Sequence, residues 1–298
     1  MISSPTTESE LRTAGVDFQF YFGAASGSAR RALQQAETKA VCLNYATEHN
    51  QPWPGIEDLL IDPGGYSFMH GMGEYETPPR AYLDFVETHE PTAWGLRDIP
   101  ADPATREALG GWSVAEIQDR TTELHGELLD KWRARHTCSS CPMAILQGWH
   151  PEQYVEHLDQ LADRDCLSDY VGIGSLVNQD TEQAAAVIER VDEVTARRTD
   201  LHAFGLKTEV LQRPRVVEAL ASGDSMAFEK TTRMEEHDRQ TDGRSWRDLL
   251  FHYLRYRRGI EDILHNVAAT GATAQTTLAS WEAGDADATA GRPPRSGR

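Results

Sequence analysis

Residues 169–207 read DYVGIGSLVNQDTEQAAAVIERVDEVTARRTDLHAFGLK. DYVGIGSL (169–176) is a short apolar run with aromatic and β-branched residues, the pattern of a buried strand. TEQAAAVIERVDEVTARR (181–198) follows with a helical pattern and a Thr at its cap. LHAFGLK (201–207) is a second strand. Strand, helix and strand in this order make a βα-repeat with a parallel sheet.

The same alternation extends in both directions. N-terminally, FQFYFGA (18–24) is a strand and SARRALQQAE (28–37) a helix. AVCLNYA (40–46) and DLLID (58–62) are strands, PPRAYLDFVETHE (78–90) is a helix, and AWGLRD (93–98) is a fourth strand. A long helix covers 113–135, MAILQGW (143–149) is a strand, and PEQYVEHLDQLADR (151–164) is a helix with Pro in its first turn. C-terminally come a helix at PRVVEALAS (214–222), an eighth strand-like element opening at DSMAFEK (224–230), and a final helix over 245–268. Eight strands separated mostly by helices, in about 250 residues, specify a TIM (β/α)8 barrel with a C-terminal helical extension. A doubly wound open sheet is the competing architecture, but no G-x-G-x-x-G turn follows the first strand. The expected organisation is an arm over 1–15, the barrel over 16–235, a C-terminal helix over 236–270, and a disordered tail rich in Gly, Ala, Asp and Pro over 271–298.

Composition narrows the class. The 298 residues carry 47 acidic and 29 basic side chains, a net charge of −18, and only four lysines (Lys39, Lys131, Lys207, Lys230). An acidic, Lys-poor surface suits a protein hydrated in concentrated salt and points to a halophilic source. It also argues against a general nucleic-acid-binding surface, although a local Arg patch is compatible with it. No run of about 18 apolar residues occurs, so no membrane span is expected. The start, MISSPTTESELRT, lacks a basic n-region before an apolar stretch, which leads to the expectation of a cytoplasmic protein. The C-x-x-C of HTCSSCP (Cys138, Cys141) has no second pair to complete a zinc site. It reads as plain thiols, or as a metal or disulfide arrangement with Cys166.

A TIM barrel carries its chemistry where strands end. Those ends hold Asp62 in DPGGY, Asp98, Gln147-Gly148, the GIGS turn with Gly174 and Ser175, Phe204-Gly205, and Asp224-Ser225. Singly, each acid is as well a turn or cap residue, and Gln147 a strand-end hydrogen bonder. Together, chance must place all of them at one rim.

DPGGY, ILQGW, YVGIGSL, FGLK and DSMAF, in this order, resemble the strand ends of the queuine-type tRNA-guanine transglycosylases. The likeness covers about residues 18–235 and agrees with the strand count. Three departures matter: no cysteine follows residue 166 to build the zinc site of the tRNA enzymes, Pro63 and Ser67 replace the usual Ser and Gln, and an Arg-bearing helix, WRDLLFHYLRYRRG, stands where those enzymes grip RNA. The chain is more similar to the compact transglycosylases of phages, archaeal viruses and mobile elements, which exchange guanine in DNA for a 7-deazaguanine.

The resemblance implies roles. Asp224 is the nucleophile on C1′. An ungapped match would put Ala227 there, which cannot do the chemistry. A carboxylate can form and release a glycosyl ester. Asp62 handles the proton of the departing or arriving base. Asp98 accepts from guanine N1–H and the amino group, Gln147 and Gly148 meet the O6/N7 edge, and the Gly174-Ser175 backbone faces O6. Tyr66 and Phe204 stack on the base beside Gly205, or are core aromatics. Lys207, Arg247, Arg255, Arg257 and Arg258 are candidates for phosphate contact, or a solvated charged face. DNA and a 7-deazaguanine such as preQ0 are the implied partners, with base flipping to admit the nucleotide. No metal or other cofactor is expected; accessory modification proteins or a homodimer stay open. The alternatives are action on tRNA, a non-catalytic barrel that binds 7-deazapurine or nucleic acid as a subunit, and an unrelated barrel hydrolase.

Overall fold

A computed structural model describes residues 17–47, 53, 55–135, 140–229 and 245–288. Its strands are β1 (Gln19–Ala24), β2 (Ala40–Asn44), β3 (Asp58–Asp62), β4 (Ala93–Gly95), β5 (Cys141–Leu146), β6 (Tyr170–Ile173), β7 (Asp200–Ala203) and β8 (Ser222–Ser225). All neighbouring pairs are parallel, and β1 pairs with β8 to close an eight-stranded barrel.

Helices alternate with the strands: α1 (Gly27–Gln35), α2 (Gly65–Gly71), α3 (Pro79–His89), α4 (Pro103–Ala108), α5 (Val114–Arg133), α6 (Pro151–Asp163), α7 (Thr181–Thr195), α8 (Pro214–Ala219) and α9 (Trp246–Ala288). A 3-10 turn, Thr208–Gln212, follows β7. No helix of the described residues is long and apolar enough to cross a membrane.

Alternation along each strand sorts side chains into two layers, because successive residues point to opposite faces. Phe20, Phe22, Val41, Leu43, Ile61, Trp94, Leu146, Ile173 and Leu201 face outward and pack beneath the helices. Tyr21, Ala40, Cys42, Leu60, Ala93 and Met143 form a separate apolar plug inside the barrel. Burying each large aliphatic or aromatic side chain contributes about 1.5–3 kcal/mol. The plug fills the lower barrel, so the polar inward residues above it face the C-terminal rim.

Helix ends differ in detail from the sequence expectation. α7 is capped by Asp180, whose carboxylate accepts from the Gln183 N–H, and Thr181 is its first residue. PGGY, read as a turn, opens α2 with Gly64 in the left-handed region at φ +82°. α4, capped by Asp102 with Pro103 at its first position, was not foreseen. The eighth strand runs Ser222–Ser225, so Asp224 lies near its end, not at its opening. Small polar SGDS has little strand propensity; pairing with β1 and β7 imposes the conformation.

The C-terminal helix takes the eighth place in the helical ring. It lies against α1 and α8. Leu249, Tyr253, Ile260 and Leu264 are buried, and the Tyr253 ring meets Phe22 edge-on at 4.9 Å. Thr38 donates to the Tyr253 hydroxyl at 2.8 Å. The helix continues to Ala288, past the expected end at 270, through an Ala-rich stretch whose residues favour helix despite two glycines. The arm over 1–15, residues 236–244 and the tail from 289 lie outside the described residues.

Candidate active site

A cavity of about 420 Å³ opens at the C-terminal rim. Asp62, Asp98 and Asp224 line it, together with Tyr66, Gln147, Gly174, Ser175, Phe204 and Gly205. Ala227 does not.

Asp62 ends β3 beside Asn44, its register partner on β2. Its Oδ2 accepts from Asn44 Nδ2 at 2.7 Å and its Oδ1 from the Gly64 N–H at 2.8 Å. That second bond needs the chain to double back after Pro63, which the left-handed Gly64 permits. The next residue must be glycine for space: a Cβ on Gly65 would lie 2.6 Å from the Asp98 carbonyl oxygen. Desolvation, with the nearby Asp224 charge, raises the Asp62 carboxyl to about 6, against the pull of its hydrogen bonds from Gly64 and Asn44.

Asp98 lies three residues past β4, in a loop pinned by Arg97. The guanidinium sits 4.6 Å from the Tyr75 ring centroid and donates to the Thr77 carbonyl at 2.8 Å. Tyr75 in turn donates to the Asp98 carbonyl at 2.9 Å. Gln147 Nε2 donates to Asp98 Oδ2, while Gln147 Oε1 accepts from the Ser175 hydroxyl at 2.6 Å. Gln147 thus backs Asp98 with an amide already engaged at both ends. Burial, and then the charge of Asp62, push the Asp98 carboxyl up to about 8, against the lowering effect of Gln147. A side chain on Gly174 would run into that same amide, which explains the glycine there.

Asp224 points into the barrel from β8 and is 7% exposed. Its Oδ1 accepts from the Gly205 N–H at 2.9 Å and lies 3.3 Å from His202 Nε2. Among the described residues nothing donates to Oδ2. Phe204 lies edge-on to the His202 ring at 4.4 Å. Tyr66 is 46% exposed at the cavity mouth, stacked on His70 at 4.2 Å.

The remaining candidates are not drawn to this cavity. Gly148 is a packing glycine, since a Cβ there would meet the Tyr154 ring at 2.8 Å. Lys207 donates its ammonium to the Gln179 carbonyl at 2.5 Å. Arg247 sits by the Trp246 ring, and Arg257 pairs with Glu261 at 2.9 Å. Arg255 borders a separate hollow of about 280 Å³, and Arg258 is exposed on the same helix. Cys141 lies in β5 and Cys166 is buried after α6; Cys138 lies outside the described residues.

Sequence reasoning passed over Asn44 and His202. Asn44 is a polar residue ending an apolar strand, the same signal that marked Asp62. His202 sits two before Phe204 in LHAFGLK and so shares its inward face. It also missed Glu229, a buried carboxylate at the cavity wall that accepts from the Ala25 N–H at 3.0 Å.

A closed parallel barrel whose rim gathers carboxylates around one cavity defines a TIM-barrel enzyme site. The chain matches the DpdA family, described as DeoxyPurine in DNA protein A, over residues 9–295. It belongs to that family, a branch consistent with the tRNA-guanine transglycosylase superfamily, and membership implies a transglycosylase of DNA modification that inserts a 7-deazaguanine. No curated protein matches the chain.

Proposed function

We propose that the protein replaces guanine in DNA by a 7-deazaguanine base such as preQ0 through a covalent Asp224–deoxyribosyl ester. The observation that carries this is the convergence of Asp224, Asp62 and Asp98 on one cavity, with Asp224 Oδ2 left unbonded. Oδ2 forms the bond to C1′ as the C1′–N9 bond breaks, its electron pair passing to N9. Asp62, its proton affinity raised toward neutrality, gives N9 a proton, and guanine departs neutral. The incoming base then loses its N9 proton to Asp62 and attacks C1′, and the carboxylate of Asp224 is expelled. Protons and charges balance over the cycle.

Asp98, protonated in the free protein, releases that proton as the base binds, and its carboxylate then accepts from N1–H and the amino group, which guanine and its 7-deaza analogue share. Tyr66 and Phe204 supply aromatic faces. Arg247, Arg255, Arg257 and Arg258, with Lys207 once released from Gln179, are proposed to meet phosphates along the flank. The target nucleotide reaches the cavity by leaving the duplex stack.

The test is incorporation of labelled preQ0, or exchange of labelled guanine, into duplex DNA and in parallel into tRNA, at high salt. Label entering DNA with the intact protein, and at least about 10³-fold less with Asp224→Asn, is the expected result. Label entering tRNA alone would refute the DNA assignment, and an active Asp224→Asn would refute the nucleophile.

A further inference from the structure

We infer that His202 is a positioning residue for Asp224, at the head of a buried hydrogen-bond chain inside the barrel; this rests on Asp224 being the nucleophile. His202 is inward on β7 and 0% exposed. Its Nδ1 lies 2.6 Å from Ser222 Oγ, and Ser222 is also bonded to the Tyr170 hydroxyl. On its other side Nε2 faces Asp224 Oδ1 at 3.3 Å. The rings of Phe204, Tyr21 and Tyr170 stand edge-on around the imidazole and fix its plane.

A neutral imidazole has one N–H to place. With the proton on Nδ1, the Nε2 lone pair would face a carboxylate oxygen. With the proton on Nε2, it faces that oxygen favourably, and Nδ1 accepts from the Ser222 O–H. Ser222 Oγ then accepts from Tyr170, whose burial raises its pKa and keeps it a donor. Tyr170 then donates to Ser222 and Ser222 to His202, two bonds in which each polarises the next, and the remaining imidazole N–H is on the side of Asp224.

The consequence is a division of labour between the two carboxylate oxygens. Oδ1 takes the Gly205 N–H and faces the imidazole N–H, leaving Oδ2 for C1′. The N–H of His202 lies off the line to Oδ1, so no hydrogen bond is closed there. It stabilises charge on Asp224 without transferring a proton to it. That charge disappears when the ester forms and returns when the ester breaks. Losing the N–H therefore makes Asp224 a poorer leaving group and slows breakdown of the ester without slowing its formation.

The experiment compares the intact chain with His202→Leu, His202→Gln, Ser222→Ala and Asp224→Asn. It measures turnover with labelled preQ0 on duplex DNA and the protein–DNA adduct on denaturing gels. For His202→Leu, kcat should fall about 10- to 100-fold with the KM for the base nearly unchanged. The adduct fraction should rise, and His202→Gln, which restores an N–H, should recover most of the rate. Unchanged turnover and adduct in His202→Leu, with Asp224→Asn inactive, overturns the inference alone. An active Asp224→Asn overturns the nucleophile reading beneath it. Should His202→Leu fail to fold, Ser222→Ala decides: a smaller fall in kcat with the same rise in adduct supports the chain, and wild-type kinetics overturns it.

Discussion

Replacing Asp98 by Asn should make the fold more stable at neutral pH while removing activity. In the folded chain, burial and the Asp62 charge hold the Asp98 carboxyl at about 8; in the unfolded chain it returns to about 3.9. The sign follows from which state keeps the proton. Below about pH 4 both states bind it and Asp98 imposes no penalty. Above that, the unfolded chain ionises while the folded one does not, so stability falls steadily until the pH reaches about 8. At about 1.4 kcal/mol per unit, the three units from pH 4 to pH 7 amount to about 4 kcal/mol. Asn cannot ionise, yet its carbonyl can still accept from Gln147 Nε2. Asp62 keeps its own, smaller dependence up to about pH 6, common to both proteins. Urea unfolding at pH 4, 5.5, 7 and 8.5, at constant high salt, should show the variant gaining on the parent as pH rises and levelling near 8. A difference independent of pH, or a parent that gains stability across this window, would refute the assignment of a desolvated, proton-retaining Asp98. Base exchange by the variant should be at least about 10²-fold slower, because a buried site built around an acceptor discriminates strongly when that acceptor's charge is gone.

Two further substitutions probe the scaffold of the site. Gly65→Ala puts a methyl 2.6 Å from the Asp98 carbonyl oxygen, and rigid backbone cannot step aside. It should destabilise by about 1–3 kcal/mol in chemical denaturation and raise the KM for the base; a variant with parental stability and kinetics would contradict the close approach. Asn44→Ala removes the donor to Asp62 Oδ2 and with it a hydrogen bond that favours the charged carboxylate. The limb of the pH–rate profile that reports Asp62 should move about one unit to higher pH, and an unmoved limb would detach Asn44 from the proton chemistry.

The barrel was legible because its strands are short apolar runs, and alternation with helices leaves few competing topologies. The strand-end rule then brought Asp62, Asp98, Gln147, Gly174, Ser175, Phe204 and Asp224 to one rim without side-chain detail. What escaped was of two kinds. β8 is written SGDS, with no apolar signature, so its start was misplaced by two residues and its end by five; only pairing with β1 and β7 makes it a strand. Arg97 anchors Asp98 through Tyr75 and Thr77, and Gln147 is engaged by Asp98 and Ser175. Such partnerships join residues 20 to 50 positions apart and leave no local pattern. The surroundings of the cationic residues were hidden for a related reason. Charge can be counted along a chain, but whether an ammonium is already held by a carbonyl, as Lys207 is by Gln179, depends on three-dimensional neighbours.

The strand that carries Asp224 has β1 as its neighbour on one side, from about two hundred residues earlier, and the outer face of β1 is covered by the helix that begins at Trp246. The most distant parts of the described chain are therefore the ones that meet at Asp224. A polypeptide emerging from the ribosome can assemble β2 to β7 progressively, but the seam between β8 and β1 is covered only when that last helix is free to dock. The cavity is in this sense closed from behind by its last helix: a fragment ending near residue 235 would bare Phe20 and Phe22 and leave the β1–β8 seam beside Asp224 unclasped.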